Sequence, residues 1–298
     1  MSTAVVSWNG FISNSYALSS GVTQDGCLSP VLFAKYVDCI ITSLQNRGFG
    51  CHIGLQSMAI IMYADDLILI SGSITDLQAM IDACITEFDN LDLSINAKKS
   101  VCLRIGKLYK STCSSVCING ASMPWSDQIT YLGLTIKASV KIMFDFKQNR
   151  TKFYRAFNSL YCKISNANEY LIVSLVKSFC IPLVMYSLNA LDLNVTSLNS
   201  LDNLMFNVFG KIFKTFDKNI LKSCMLHLDC LQLYFEYRKR KILFLSTLHK
   251  IENECLKTWL SISGANNLRN TCVKHNVRSY GPSCIKRDIW RDFALSIL

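Results

Sequence analysis

The chain changes its hydrophobic rhythm partway along. Up to about residue 137, short apolar runs alternate with turn signals. Val5, Val6 and Trp8 precede Asn9-Gly10, a dipeptide that favours a two-residue hairpin turn. Ser29-Pro30 predicts a helix start, with Ser29 as the cap and Pro30 at the first helical position. The apolar face of that helix runs through Phe33, Val37, Ile40, Ile41 and Leu44, and Gly48 ends it. Residues 59–62 and 67–70 are apolar runs separated by Tyr63-Ala64-Asp65-Asp66, which predicts a buried β-hairpin with polar residues only at its tip. Thr75 and Gln78 read as a capping box for a second helix, on which Leu77, Met80, Ile81, Cys84, Ile85, Phe88 and Leu91 recur at helical spacing. Further strands are expected at 93–95, 101–105 and 129–136.

Beyond Lys137 the period becomes helical. Phe144, Phe153, Tyr154, Phe157, Leu160 and Tyr161 interleave with Lys147, Arg150, Lys152 and Arg155. At this spacing the aromatics read first as core, with base stacking as the second option. The change of period places a domain boundary near residue 138. The pattern gives an α+β chain: an antiparallel sheet with packed helices, then an all-α remainder with irregular ground at 261–267. The long apolar stretch 170–193 contains Lys177 and Pro182, with Asn189 and Asp192 near its end. A charge within lipid is costly, so the stretch is expected to be a core helix pair, with no membrane partner.

Composition sharpens this division. Half of the 298 residues are hydrophobic and 17% are charged, enough apolar material for sizeable cores. Residues 1–136 hold 7 Lys and Arg against 10 Asp and Glu, a net −3, whereas residues 137–298 hold 24 against 11, a net +13. An acidic first part suits metal ions, and a basic second part suits a polyphosphate backbone. A solvated surface without a partner is the plain alternative. The 14 cysteines include no CxxC pair, and the residues after Met1 lack the basic and apolar regions of a secretory signal. Reduced, mostly buried thiols in an intracellular setting, nuclear or cytoplasmic, are expected.

The sharpest chemical feature is Asp65-Asp66, framed by Ile60, Ile61 and Met62 on one side and Leu67, Ile68, Leu69 and Ile70 on the other. Adjacent carboxylates in an apolar frame repel each other and are costly to desolvate. A divalent cation such as Mg²⁺ removes both problems, and paired ions about 4 Å apart support phosphoryl transfer. A solvent-exposed Asp-Asp turn explains the same residues without metal.

The flanking sequence adds a resemblance. Gly21-Val22-Thr23-Gln24-Asp25-Gly26-Cys27-Leu28-Ser29-Pro30-Val31-Leu32-Phe33 lies upstream, and Asn96, Lys99, Ser100 and then Tyr131-Leu132-Gly133 lie downstream. In order and approximate spacing the set resembles the reverse transcriptases of non-LTR (LINE-type) retrotransposons. Trp8-Asn9-Gly10 fits the hairpin before the first block, and 181–186 is similar to a thumb segment of those elements. The resemblance implies a partial polymerase palm over 1–137, a thumb-like helical domain over 138–215 and a basic C-terminal helical region over 216–298. It implies a Mg²⁺-dependent RNA-directed DNA polymerase acting on an RNA template, a DNA primer or duplex, and deoxynucleotides. Asp65 and Asp66 would be the catalytic metal ligands. Gln24 and Gly26 would line the template and nucleotide pocket, Lys99 would lie near the triphosphate, and Tyr131, Leu132 and Gly133 would form the primer grip.

Two departures from the family pattern stand out. Asp25 occupies a position where the family has glycine, adding bulk and a charge that a triphosphate repels. No Asp or Glu precedes Gly21, whereas the family places a further metal-bridging aspartate upstream of the Gln block. The expectation is therefore an N-terminally truncated domain, catalytically incomplete in isolation, with an apolar sheet edge left open. A non-catalytic nucleic-acid-binding remnant, or a decayed relic, is the alternative.

Weaker signals remain. Cys224, His227 and Cys230, and also Cys272, His275 and Cys284, are spaced more loosely than usual zinc sites and read as buried or satisfied side chains. Arg238-Lys239-Arg240-Lys241 reads either as a nucleic-acid or import signal or as a solvated helix face.

Overall fold

The structure, a computed structural model, describes residues 2–18, 21, 25–248, 250–259, 272 and 281–297. The chain forms two compact units. The first comprises residues 1–102 and 112–125, and the second comprises 103–111 and 126–298.

The first unit opens with an exposed ribbon. β1 (Ser2–Ala4) pairs antiparallel with β4 (Tyr16–Leu18), and β2 (Ser7–Trp8) pairs with β3 (Phe11–Ile12). Asn9 and Gly10 sit at φ +54° and +85°, the left-handed pair that asparagine and glycine favour in a tight turn. Helix α1 (Ser29–Asn46) buries Val37, Ile40 and Leu44, with Phe33 and Ile41 packed at the margin of the same core. Its start corrects the sequence reading: Leu28 is the N-cap, without a side-chain bond, and Ser29 and Pro30 are already inside the first turn. Gly48, at φ +71°, closes the other end by donating to the Gln45 carbonyl at 3.3 Å.

After the short pair β5 (His52–Ile53) and β6 (Gln56–Ser57) comes the hairpin of β7 (Ile60–Tyr63) and β8 (Asp66–Leu69). Helix α2 (Ile74–Asp89) follows. Its cap is Ser73, whose hydroxyl accepts from the Asp76 amide at 3.5 Å, so Thr75 and Gln78 form no capping box. Gln78 does something else: its amide donates to the Cys117 carbonyl at 2.9 Å and accepts from the Cys117 amide at 2.8 Å. It thereby pairs with β10 (Val116–Ile118) as a strand would. β9 (Cys102–Leu103) precedes that strand, and β11 (Ala121–Met123) completes the β10 hairpin around Asn119 and Gly120. The expected strand at 93–95 is absent. Asp92 adopts φ +54°, its amide bonds Asp89 O (3.1 Å), and the Leu93 amide bonds Phe88 O (2.9 Å). This paired reversal seals the end of α2 and turns 93–95 into a helix exit, whose Leu93 and Ile95 still pack inward.

From the end of β12 (Trp125–Ser126) onward the second unit continues with an antiparallel meander of β13 (Gln128–Tyr131), β14 (Leu134–Lys137) and β15 (Met143–Asp145). β15 lies past Lys137, where only helix was expected; Phe144 pairs opposite Ile136, so strand pairing overrides the helical spacing there. Helices α3 (Lys147–Ile164), α4 (Glu169–Leu175), α5 (Ile181–Met185), α6 (Val195–Phe213), α7 (Lys218–His227), α8 (Leu233–Leu248), α9 (Glu254–Trp259) and α10 (Pro282–Leu295) follow. One core unites α3 to α8 and α10, including Phe153, Val176, Met185, Phe209, Leu233 and Phe293. A π-helical turn at Val176–Cys180 joins α4 to α5. Pro182, lacking an N–H and crowding the preceding turn, accounts for that loosening. Lys177 in the same turn donates to the Asp229 carbonyl at 2.6 Å, which satisfies the charge within the apolar stretch. Among the described residues no helix is long and apolar enough to cross a membrane.

The basic run 238–241 matches neither sequence reading. Arg238 and Lys241 are buried. Arg238 pairs with Asp292 at 3.0 Å, Lys239 and Arg240 both pair with Glu236, and Lys241 pairs with Asp192 at 3.0 Å. The run ties α8 to its neighbours. Residues 261–267 and His275 lie outside the described residues, while Cys230 and Cys272 are buried and Cys224 and Cys284 are half-buried.

Candidate functional site

The β7–β8 register sets Ile60 opposite Leu69, Met62 opposite Leu67, and Tyr63 opposite Asp66. Side chains alternate across a strand, so Ile60, Met62, Leu67 and Leu69 face the core between α1 and α2. The other face carries Ile61, Ile68, Tyr63 and Asp66. Ile61 is 44% exposed and Tyr63 63%. The hairpin is therefore one-sided, a correction to the expected buried one: two helices cover a single face. Ala64 and Asp65 form the turn between the strands, and Ala64 adopts φ +51°. Both carboxylates, Asp65 and Asp66, are exposed at the tip.

Two adjacent exposed carboxylates fit one Mg²⁺ ion whose remaining positions are filled by water and substrate oxygens. Among the described residues no group of three or more His, Cys, Asp or Glu converges on a common point. The hairpin thus offers two hard oxygen ligands side by side.

Of the upstream block, Gln24 lies outside the described residues. Asp25 is exposed and sits at φ +61°. That left-handed conformation suits glycine and costs other residues about 1–2 kcal/mol, which is a local reason for the family glycine at this position. Gly26 follows, its carbonyl accepting from the Ser29 amide at 3.1 Å as the chain turns into α1.

Asn96 organises the next motif. Its side-chain oxygen accepts from the Lys98 and Lys99 amides at 3.1 and 3.2 Å, and its carbonyl accepts from the Ser100 amide and hydroxyl at 3.1 and 2.9 Å. The spacing Asn-x-x-Lys-Ser is thus that of one asparagine-nucleated turn, with the Lys99 side chain left exposed.

Tyr131, Leu132 and Gly133 occupy the β13–β14 turn, in the second unit. Leu132 and Gly133 take φ +45° and +78°. The turn is clamped from α5: the Tyr186 hydroxyl donates to the Leu132 carbonyl at 2.9 Å. A Cβ on Gly133 would lie 3.3 Å from the Tyr186 ring. Buried Asn149 of α3 in turn donates to the Tyr186 carbonyl at 3.3 Å. Tyr186 and Asn149 were not among the sequence-derived site residues. The apolar context of 181–186 marked the segment, but nothing local announced a contact across 54 residues.

On α3, Phe153 and Phe157 are buried while Lys147, Arg150, Lys152, Arg155 and Lys163 stay exposed. None of these five cations forms an ion pair with a described residue. The aromatics are core and the basics make an unpaired cationic face.

The first unit is therefore an α+β body that displays an acidic hairpin tip. Known proteins resemble that body. A family model described as "Reverse transcriptase (RNA-dependent DNA polymerase)" matches residues 4–136. The chain is 35% identical over 86 residues to the "Retrovirus-related Pol polyprotein from type-1 retrotransposable element R2" of Popillia japonica, covering 28% of this chain and 12% of that protein. It is 25% identical over 142 residues to the "Retrovirus-related Pol polyprotein from type-2 retrotransposable element R2DM" of Drosophila melanogaster, covering 45% of this chain and 13% of that protein. Residues 4–136 are thus similar to the reverse transcriptase family and to stretches of Pol polyproteins from R2 retrotransposable elements. The aligned part spans about an eighth of each relative's length.

Proposed function

We propose that this chain supplies the acidic part of an RNA-directed DNA polymerase centre. In this reading residues 1–137 act as a partial palm, 138–215 as a thumb-like helical domain and 216–298 as a basic C-terminal region. The observation that carries it is the pair Asp65 and Asp66, exposed together at a tight hairpin tip inside the family-matched segment. Mg²⁺ held there supplies Lewis-acid stabilisation of phosphate oxygens when bound. The chain's own groups do the positioning. Asp65 and Asp66 offer hard oxygen ligands. Gln24 and Gly26 line the template and nucleotide side, and Lys99 meets the triphosphate as a mobile point charge. Tyr131, Leu132 and Gly133 support the primer end through a turn held by Tyr186. The cationic face of α3 follows the backbone of an RNA–DNA or DNA duplex. With two carboxylates on one hairpin and no third metal-ligating group beside them among the described residues, the chain alone does not complete a two-metal site. It does not extend a primer unaided.

The unpaired cations of α3 favour a second reading, nucleic-acid binding without catalysis. One assay separates the two. Primer extension on poly(rA)–oligo(dT) with Mg²⁺ is run on this chain and on a version fused to the upstream part of a relative's reverse transcriptase domain. The polymerase reading expects extension by the fusion alone, abolished by Asp65→Ala. Extension by the unfused chain overturns its incompleteness. Extension by neither, with salt-sensitive duplex binding retained, leaves the binding reading.

A further inference from the structure

A hollow of about 530 Å³ opens between α6, α7 and the start of α8, wholly within the second unit and apart from every residue assigned above. Its volume falls within the range of small-ligand pockets, roughly 300–1,000 Å³. α6 turns an otherwise apolar helix polar on this side, with Asn199, Asp202, Asn203 and Phe206 at offsets of zero, three, four and seven. These offsets share one helical face.

Gln232 contributes the sharpest observation. Its side chain lines the hollow, is only 5% exposed, and has an Nε2 donor with no partner among the described residues. A buried unpaired donor costs about 1–3 kcal/mol, and an acceptor entering the hollow would remove that cost. Asp202, its neighbour, accepts from the Tyr234 amide at 2.9 Å. Burial pushes its carboxyl up to about 6, against the smaller opposite pulls of that hydrogen bond and of Lys222. Lys218 lies 5.5 Å from the centre of the Phe206 ring, and Lys222 stands one turn further along α7. Neither lysine forms an ion pair with a described residue.

We infer that this hollow binds a nucleotide, a phosphate together with its adjoining base. Two ammonium groups meet the phosphate. The carboxamides of Asn199, Asn203, Asn219 and Gln232 present both donors and acceptors, which is what base edges require, and Phe206 offers an apolar face. A bare anion leaves the amide wall unused, and an apolar ligand leaves Gln232 unpaired. The nucleotide is either free or one unit of a single strand. The inference does not depend on Asp65 or on polymerase activity.

The test is calorimetric titration of the full chain with 5′-UMP, 5′-AMP, inorganic phosphate and an octameric oligouridylate, with the side-chain amide resonance of Gln232 followed in parallel. Saturable nucleotide binding that shifts this resonance is expected. Gln232→Leu should weaken it roughly tenfold or more while preserving the thermal melt, because an apolar replacement removes the unpaired donor. Lys222→Gln should weaken phosphate and nucleotide alike. Tighter binding of the oligomer assigns the site to a strand, and equal binding per site assigns it to the free nucleotide. No saturable binding, binding untouched by Gln232→Leu, or phosphate binding as tightly as the nucleotide overturns the inference.

Discussion

Ala64, Asp25 and Asp92 hold left-handed backbone conformations without being glycine. Each does so where a function or a boundary demands a sharp reversal: the acidic tip, the entry to α1 and the exit of α2. Glycine removes a steric cost of about 1–2 kcal/mol at such a position but adds unfolded-state entropy, so the net gain is on the order of 1 kcal/mol or less. Asp92→Gly should therefore raise the urea midpoint of the first unit slightly. Ala64→Gly should do the same while loosening the presentation of Asp65, a trade that strained sites commonly show. Asp202 makes the opposite kind of statement. Its carboxyl titrates near 6 in the folded chain and near 3.8 otherwise, so the folded state binds the extra proton between those values. Stability from this group is greatest below about 4 and falls as pH rises through 6, by an amount on the order of 2–3 kcal/mol. Denaturation at pH 4 and pH 7 should show Asp202→Asn flattening the decline; an unchanged slope would contradict it.

At the scale of elements, local chemistry was readable and long-range capture was not. Asn9-Gly10 announced its hairpin. Asn119-Gly120 carries the same turn signal, but its flanking strands have three residues each and little alternation. The start of α2 slipped by two residues because Ser73 outcompetes Thr75 as a cap, and this freed Gln78 to bind β10 across 39 residues. No periodicity encodes such a bond. The acidic tip, the asparagine-nucleated turn at Lys99 and the Leu132-Gly133 turn were all visible as motifs, whereas Tyr186 became apparent only through its contact. Tyr186→Phe should cost about 0.5–1.5 kcal/mol, the usual net value of one hydrogen bond, and should speed amide exchange in β13 and β14 without changing α6. Gly133→Ala should cost more, since it meets both a positive φ and the Tyr186 ring. For α3, the double substitution Lys152→Gln/Arg155→Gln should lower the salt dependence of duplex binding by up to about two counterions. A salt slope identical to that of the parent would remove this helix from the interface.

Across the whole molecule, formal charge and usable charge differ. The second part of the sequence carries +13 from residue 137 onward, yet the densest basic run is committed to internal pairs with Glu236, Asp292 and Asp192. Counting residues locates the polarity of the chain but not the surface that bears it; α3, with a sparser sequence, holds five exposed cations that form no ion pair with a described residue. The α+β character was legible because two hydrophobic periods succeed each other. The interruption by β15 was not, because its partner lies on a neighbouring hairpin.

The distribution of thiols has a practical corollary. Cys84 in the first unit and Cys180 and Cys230 in the second are buried, and burial pushes them up to about 12, 11 and 12 respectively. Cys27, Cys39 and Cys162 are exposed. A brief pulse of alkylating reagent will therefore mark the exposed set at once and reach the buried set only when the surrounding body opens. Each unit contains its own native clock, and mass spectrometry of tryptic peptides can time the two openings separately without any engineered cysteine.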